Sequence, residues 1–208
     1  MSAGAPDVGT TVLDCSHFQH VSDWPAVRRF GVAAVLHKFS QGTSYRDPSY
    51  AEHRAAALPT GMLWGRYHFG TGEDVEKQVE NFLADIVPGE ALALDFEANP
   101  GGPTMSLPTA KQFVSLVWQR AGILPILYAG YMFKRMLNQG ADSGILGDCR
   151  LWLSQWGPRA VLPAAFDHYY LWQYSATGKV PGIEHEVDLS MFDGTTGELQ
   201  ATWEAGDV

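Results

Sequence analysis

Long apolar runs are missing from this 208-residue sequence. None reaches the roughly 18 residues that cross a bilayer, so membrane insertion is not expected. Positive charge is scarce. Lys and Arg number 14 against 23 Asp and Glu, a net charge of −9. That excludes the phosphate neutralisation on which nucleic-acid binding rests and any electrostatic pull toward an anionic surface. Cysteine is limited to Cys15 and Cys149, too few for a disulfide framework and in no zinc-binding spacing, so both are read as buried thiols. Cys15 as a nucleophile would need a histidine base beside it, and it is out of phase with Asp14. The seven histidines form no ligand set by spacing. His17 and His20 lie three apart without a third ligand, and His68 is out of phase with Tyr67 and Phe69. No metal and no cofactor is expected. A glycine-rich phosphate loop and a Gly-x-Ser-x-Gly elbow are also lacking.

What is present is a compact composition, 46% hydrophobic and 18% charged, long enough for one domain with its own core. Residues 1–10 are small and polar, without the basic start and apolar stretch of a secretory signal. They are read as an extension ahead of a single domain over residues 11–208.

Strand and helix patterns then alternate about five times. Extended segments are expected over 11–16, 33–40, 63–70, 90–97 and 125–130. Between them fall a helix capped by Asp23 and ended by Gly31, and one begun at Asp47–Pro48 that stops near Pro59. A third begins at Thr71, with Val75, Val79, Phe82, Leu83 and Ile86 on one stripe. A fourth, capped by Ser106 and ended by Gly122, carries Phe113, Val114, Val117, Trp118 and Ala121, and a short fifth covers 132–137. Such alternation builds a parallel sheet under helices. Three further strands, over 151–156, 169–175 and 186–192, are separated by gaps of about eleven and about ten residues, short of the dozen or more that a parallel crossover needs. The expected fold is α/β, an irregular TIM-like barrel of eight strands and about five helices. Its last strands are joined by loops, and at least one of them runs antiparallel.

The segment from Ala91 to Glu97 ends in two acids with one residue between them. On a strand, Asp95 and Glu97 point to one side, roughly 6–7 Å apart at the backbone. Leu94 and Phe96 point to the other. One of two carboxylates that close holds its proton to a higher pH than a free acid. A protonated acid beside an ionised one is what glycosidic cleavage needs. Asp14 and Asp188, like Asp95 and Glu97, stand late in predicted strands, Asp188 in the part expected to run antiparallel, and in parallel barrels the C-terminal strand ends carry the chemistry. Aromatics cluster near the same ends: Tyr67, Phe69, Tyr128, Trp156, Trp172 and Tyr174. Such rings stack on flat sugar faces and line ligand sites. Lys38, in phase with Ser40 on its strand, would keep a neighbouring acid ionised if it faces inward. On the residues alone, two other classes stay open: a phosphoesterase whose four acids hold Mg²⁺ or Mn²⁺, and a sugar-binding module without catalysis.

A series of motifs runs through nearly the whole chain: LDCSHFQ (13–19), Asp23-Trp24 with Gly31, LHKFSQGTSYRDP (36–48), GRYHFG (65–70), LALDFE (92–97), ILYAG (126–130), LWLSQW (151–156), LWQYS (171–175) and VDLSMF (187–192). In this order and spacing the chain resembles the glycoside hydrolase family 25 lysozymes, N-acetylmuramidases that cut peptidoglycan. The resemblance implies a barrel of eight strands and about five helices, with Glu97 as general acid and Asp95 as its partner. It places Asp14 and Asp188 along the groove, with Tyr67, Tyr128, Trp172 and Gln173 in or near it. The chain departs from the pattern at Ser40-Gln41-Gly42, where the family usually has Thr-Glu-Gly or Ser-Glu-Gly, and at Ser190, where it usually has Asn. The substrate implied is the glycan strand of the bacterial cell wall. An acidic domain should bind an anionic wall weakly without a separate wall-binding module. The implied route is that of a phage endolysin released through a separately made membrane hole (a holin partner), or of a secreted enzyme trimmed of its leader.

Overall fold

The computed structural model describes residues 10–203. All but Thr10 of the expected extension over 1–10, and the last five residues of the chain, lie outside the described residues. The elements in order are β1 (Thr11–Cys15), α1 (Trp24–Phe30), β2 (Val32–Gln41), β3 (Tyr45–Arg46), α2 (Tyr50–Ala57), β4 (Leu63–Phe69), α3 (Val75–Leu83), β5 (Ala91–Phe96), α4 (Leu107–Ala121), β6 (Ile126–Ala129), α5 (Tyr131–Asn138), β7 (Leu151–Ser154), β8 (Leu171–Gly178), β9 (Val187–Phe192) and α6 (Thr196–Thr202). Eight strands close a ring in the order β1-β2-β4-β5-β6-β7-β8-β9, with β9 returning to β1. The two-residue β3 is an extra, antiparallel strand on the end of β2. No helix among the described residues is long and apolar enough to cross a membrane.

The capped helices form where local chemistry demands them. Asp23 accepts the Ala26 amide at 2.9 Å and Gly31 ends α1 at φ 116, a left-handed conformation that favours glycine. Ser106 caps α4 through the Thr109 amide at 3.2 Å. Helix α3 starts later than Thr71, because Asp74 takes the cap through the Lys77 amide and the Thr71 amide is held by the Gln78 side chain. It also ends at Leu83, leaving Ile86 outside it and exposed. Trp118, placed on the buried stripe of α4 by its spacing, is 47% exposed. At about 100° per residue it lies roughly 80° from Ala110, on the edge of the apolar face.

Strands β1 to β8 run parallel around the ring; β9 is antiparallel to both neighbours. The β7–β8 pair is parallel although no helix joins it. β7 ends at Ser154 and β8 begins at Leu171, which leaves residues 155–170 for the crossover. Ala160, Leu162, Phe166 and Tyr169 of that segment pack on Leu151, Leu153 and Trp172, doing for this part of the barrel what a helix does elsewhere.

Alternation along the strands separates two cores. Val12, Ala34, Leu36, Ala91, Ala93, Ile126 and Trp152 fill the barrel, joined by Leu199 and Trp203. The Trp203 indole donates to Trp64 O at 2.8 Å, near the start of β4 and so at the end of the barrel where the parallel strands begin. Leu13, Val35, Leu92, Leu94, Phe96 and Leu127 face outward against Val27, Val79, Phe82, Phe113 and Phe133. One ion cluster lies in this outer layer. Arg66, 1% exposed, holds Glu90 through Nε at 2.7 Å and through Nη2. It also donates to the carbonyls of Ala84 and Asp85, each at 3.0 Å. Tyr50 and Arg54 bond the other Glu90 oxygen.

Candidate active site

Asp95 follows Ala91 and Ala93 on the inward face of β5, while Phe96 turns outward onto Phe133 with ring centroids 5.9 Å apart. Glu97 stands one residue past the strand, and both acids still open into one cavity of about 110 Å³. Asp14 of β1 and Asp188 of β9 are register partners and line the same cavity, with Tyr67, Tyr128, Trp152 and Gln173. Asp188 is the second residue of β9, not a late one. The antiparallel course of that strand carries its start to the rim where the parallel strands finish. A chain of hydrogen bonds fixes one wall. Ser154 Oγ donates to Tyr128 Oη at 2.8 Å, Tyr128 to Gln173 Oε1 at 3.0 Å, and Gln173 Nε2 to Asp14 Oδ2 at 3.1 Å.

All four acids are pushed above the ordinary carboxylate range, with burial the leading cause in each case. For Asp14 the charge of Asp188 adds to it and the Gln173 amide opposes it. For Asp95 the charge of Glu97 adds and that of Lys38 opposes. Glu97 is raised by burial, then by Asp188, again against Lys38. Asp95 and Glu97 are thus both favoured in the neutral form, and not Glu97 alone. Asp95 is itself driven toward the neutral form, and the proton on Glu97 owes more to burial and Asp188. The cluster as a whole holds more protons than four free carboxyls would.

Lys38 does face inward. Its ammonium lies 5.1 Å from the Phe69 ring centroid and donates to Gln41 Oε1 at 2.6 Å. Ser40 does not share its phase. The register shifts between them, so Lys38 pairs with inward Tyr67 and Ser40 with His68. His68 is fully buried among the outer elements, bonded to Ser40 and Gln78 and stacked on Phe113. Both departures from the resembled pattern have partners here. Gln41 receives the Lys38 ammonium as a neutral acceptor, and Ser190 Oγ accepts the Trp152 indole N–H at 2.9 Å.

A wider cleft of about 580 Å³ also borders Glu97. Trp156, 64% exposed, and Tyr131, 78% exposed, line it, with Met132, Lys134, Gln155 and Val161. Trp172 and Tyr174 are not brought to the acids. Trp172 packs outward on Leu151 and Leu153 and donates to Gln155 O at 2.5 Å, and Tyr174 packs beside it. Trp152, Tyr131 and Lys134 were not singled out from the sequence. The parity of Trp152 against Leu151 and Leu153 was the available signal for the first, and position directly after β6 for the second.

The raised acids make a stability prediction. A carboxyl with a folded pKa above its unfolded value binds protons more tightly when folded. Its stabilising contribution is full below about pH 4 and is lost as pH rises through the folded value. Asp95 is the sharpest case, because its Oδ1 is buried without a hydrogen-bond partner. Asp95→Asn is expected to raise the melting temperature at pH 7 by at least about 2–4 °C, the equivalent of ~1 kcal/mol in a domain of this size. Calorimetry should show the gain shrinking toward pH 4.

Comparison with known proteins gives a consistent picture. A sequence model of glycosyl hydrolases family 25 matches residues 13–183. Lysozyme M1 of Streptomyces globisporus is 26% identical over 212 aligned positions, covering 93% of this chain and 71% of that protein. The autolytic lysozyme of Clostridium acetobutylicum is 27% identical, over 86% of this chain and 55% of that one. Among solved structures, a bacterial lysozyme from Streptomyces coelicolor superposes with a TM-score of 0.84 at 25% identity, over 96% of this chain and 99% of the other.

Proposed function

This chain belongs to glycosyl hydrolase family 25 and is a muramidase of peptidoglycan, and from that premise we propose that Glu97 delivers the proton that cleaves the glycan. The bond is the β-1,4 link between N-acetylmuramic acid and N-acetylglucosamine. The observation that carries the assignment is that Glu97, alone of the four acids, borders both the acid-lined cavity and the aromatic cleft. A glycan stacked on Tyr131 and Trp156 would reach Glu97 at its scissile oxygen. Burial and the charge of Asp188 favour the protonated form of Glu97, the state a general acid needs at the start of the reaction. Asp95 and Asp188, facing the same cavity, are the candidates for orienting water or the substrate's acetamide in the second half. Tyr67, Tyr128 and Gln173 hold the cavity wall, and Lys38 opposes the upward shift of Asp95 and Glu97.

The reaction takes place at the bacterial cell wall. The net charge of −9 supports help from a separate wall-binding module. Residues 11–208 are read as one catalytic unit. Delivery through a membrane hole made by a holin and delivery as a secreted precursor leave the chemistry the same.

Digestion of purified peptidoglycan followed by mass spectrometry is the direct test. Products with reducing ends on muramic acid are expected. Reducing ends on glucosamine, or cut peptides, would overturn the assignment. Since the acid must be protonated, kcat/KM is expected to fall on the alkaline side as pH rises through the elevated pKa of Glu97.

A further inference from the structure

Outside the barrel, on the face opposite the acids, three side chains that the reaction does not use converge. Cys15 and His37 are register partners on the parallel strands β1 and β2, so their side chains lie side by side. Helix α2 lays His53 over both. The Cys15 sulfur and one nitrogen from each imidazole all fall within 4.8 Å of one another. The three residues are 3%, 0% and 8% exposed, which shuts out a substrate and removes Cys15 as a nucleophile.

The hydrogen bonds set the tautomers. His37 Nδ1 lies 2.7 Å from Lys38 O, and a carbonyl can only accept, so Nδ1 carries the hydrogen and Nε2 presents its lone pair. That lone pair points at His53 Nδ1, 3.0 Å away. A backbone carbonyl on the far nitrogen is also the contact that orients metal-binding imidazoles. The rings are held in place, His37 stacked on Trp64 and His53 edge-on to Trp24.

We infer that Cys15, His37 and His53 form a binding site for a single borderline-soft cation of the Zn²⁺ class. A thiolate with two imidazoles suits zinc-like ions and not Ca²⁺ or Mg²⁺, which take oxygen ligands. Two nitrogens bound tetrahedrally to Zn²⁺ stand about 3.3 Å apart, so the His37–His53 pair needs to open only slightly. The metal takes the place of the hydrogen between the two rings. The His53 hydrogen moves from Nδ1 to Nε2, the Cys15 thiol gives its proton to solvent, and one proton leaves per ion bound. Ser49 Oγ, 3.4 Å from His37 Nε2, stands close to the fourth position, which it or a water can take. The ion would clip β1, β2 and α2 together on the outside of the barrel, as a structural site.

Cobalt(II) is the probe. The full chain is stripped with a chelator, dialysed and titrated with Co²⁺ in weak buffer. One equivalent is expected to bind with a thiolate-to-cobalt charge-transfer band and tetrahedral d–d bands, releasing one proton. Zn²⁺ should displace it and raise the melting temperature. Cys15→Ala should abolish the charge-transfer band, His53→Gln should weaken binding at least about tenfold, and Cys149→Ser should change nothing. Circular dichroism checks that each variant is folded, and if Cys15→Ala is not, His53→Gln decides. Binding no tighter than that of His53→Gln, or a charge-transfer band that survives Cys15→Ala or follows Cys149, would overturn the site.

Discussion

Glu97→Gln is expected to lower the rate of peptidoglycan hydrolysis by about 10²–10⁴-fold, the usual worth of general-acid help, with the protein still folded. The amide keeps the size and one hydrogen-bonding oxygen of the acid but has no proton to give. Stability is expected to hold or rise at neutral pH, because burial and the Asp188 charge work against ionised Glu97 and the amide removes that conflict. Release of reducing ends, measured beside a melting curve, separates lost chemistry from lost structure. A Glu97→Gln enzyme of near-normal turnover would take the acid role from this residue. Asp95 would be the next to test, since it is buried in the same cavity and also pushed toward its neutral form.

The second large effect lies away from the groove. Arg66→Met is expected to cost about 3–5 kcal/mol of stability, the usual penalty for removing one partner of a buried ion pair. In a domain of this size that is a fall of roughly 6–20 °C in melting temperature. The reason is the number of groups one guanidinium satisfies. Glu90, only 2% exposed at its side chain, would keep Arg54 and Tyr50 but lose its main counter-charge. The carbonyls of Ala84 and Asp85 would lose their donors. Removing both charges should cost less than removing one, so Arg66→Met with Glu90→Leu is expected to be more stable than Arg66→Met alone. Chemical denaturation of the wild type and the two variants measures this. A double variant no better than the single would mean that packing around Arg66, not the unpaired Glu90, sets the loss.

Much of the architecture was readable one element at a time. Asp23 with Gly31 and Ser106 with Gly122 bound their helices as expected, because caps are local interactions between residues three or four apart. The close spacing of the last three strands was enough to expect loops in place of helices between them, though the β7–β8 pair still runs parallel across residues 155–170. The misreadings came where a distant partner overrules a local signal. Thr71 looks like a helix start, but Gln78 claims its amide. Ser40 looks in phase with Lys38, but a register shift against β4 turns it outward. Trp172 belongs to a promising aromatic set, yet the crossover segment over 155–170 needs an apolar floor and takes it.

By itself, the sequence determined which residues share a side along the regular stretches of strand, since the period of two is a property of the backbone; it could not show the register shift that parts Ser40 from Lys38. The period alone put Asp95 with the small inward residues of β5 and foretold an acid pair. Only the tertiary structure decided which acids meet and what their protons do. Asp188 reaches the mouth because β9 runs against its neighbours, and all four acids are raised because closing the ring removes them from water. The same holds on the outer face, where Cys15, His37 and His53 have no spacing that betrays them. They come together only because β1 pairs with β2 in one register and α2 packs across both.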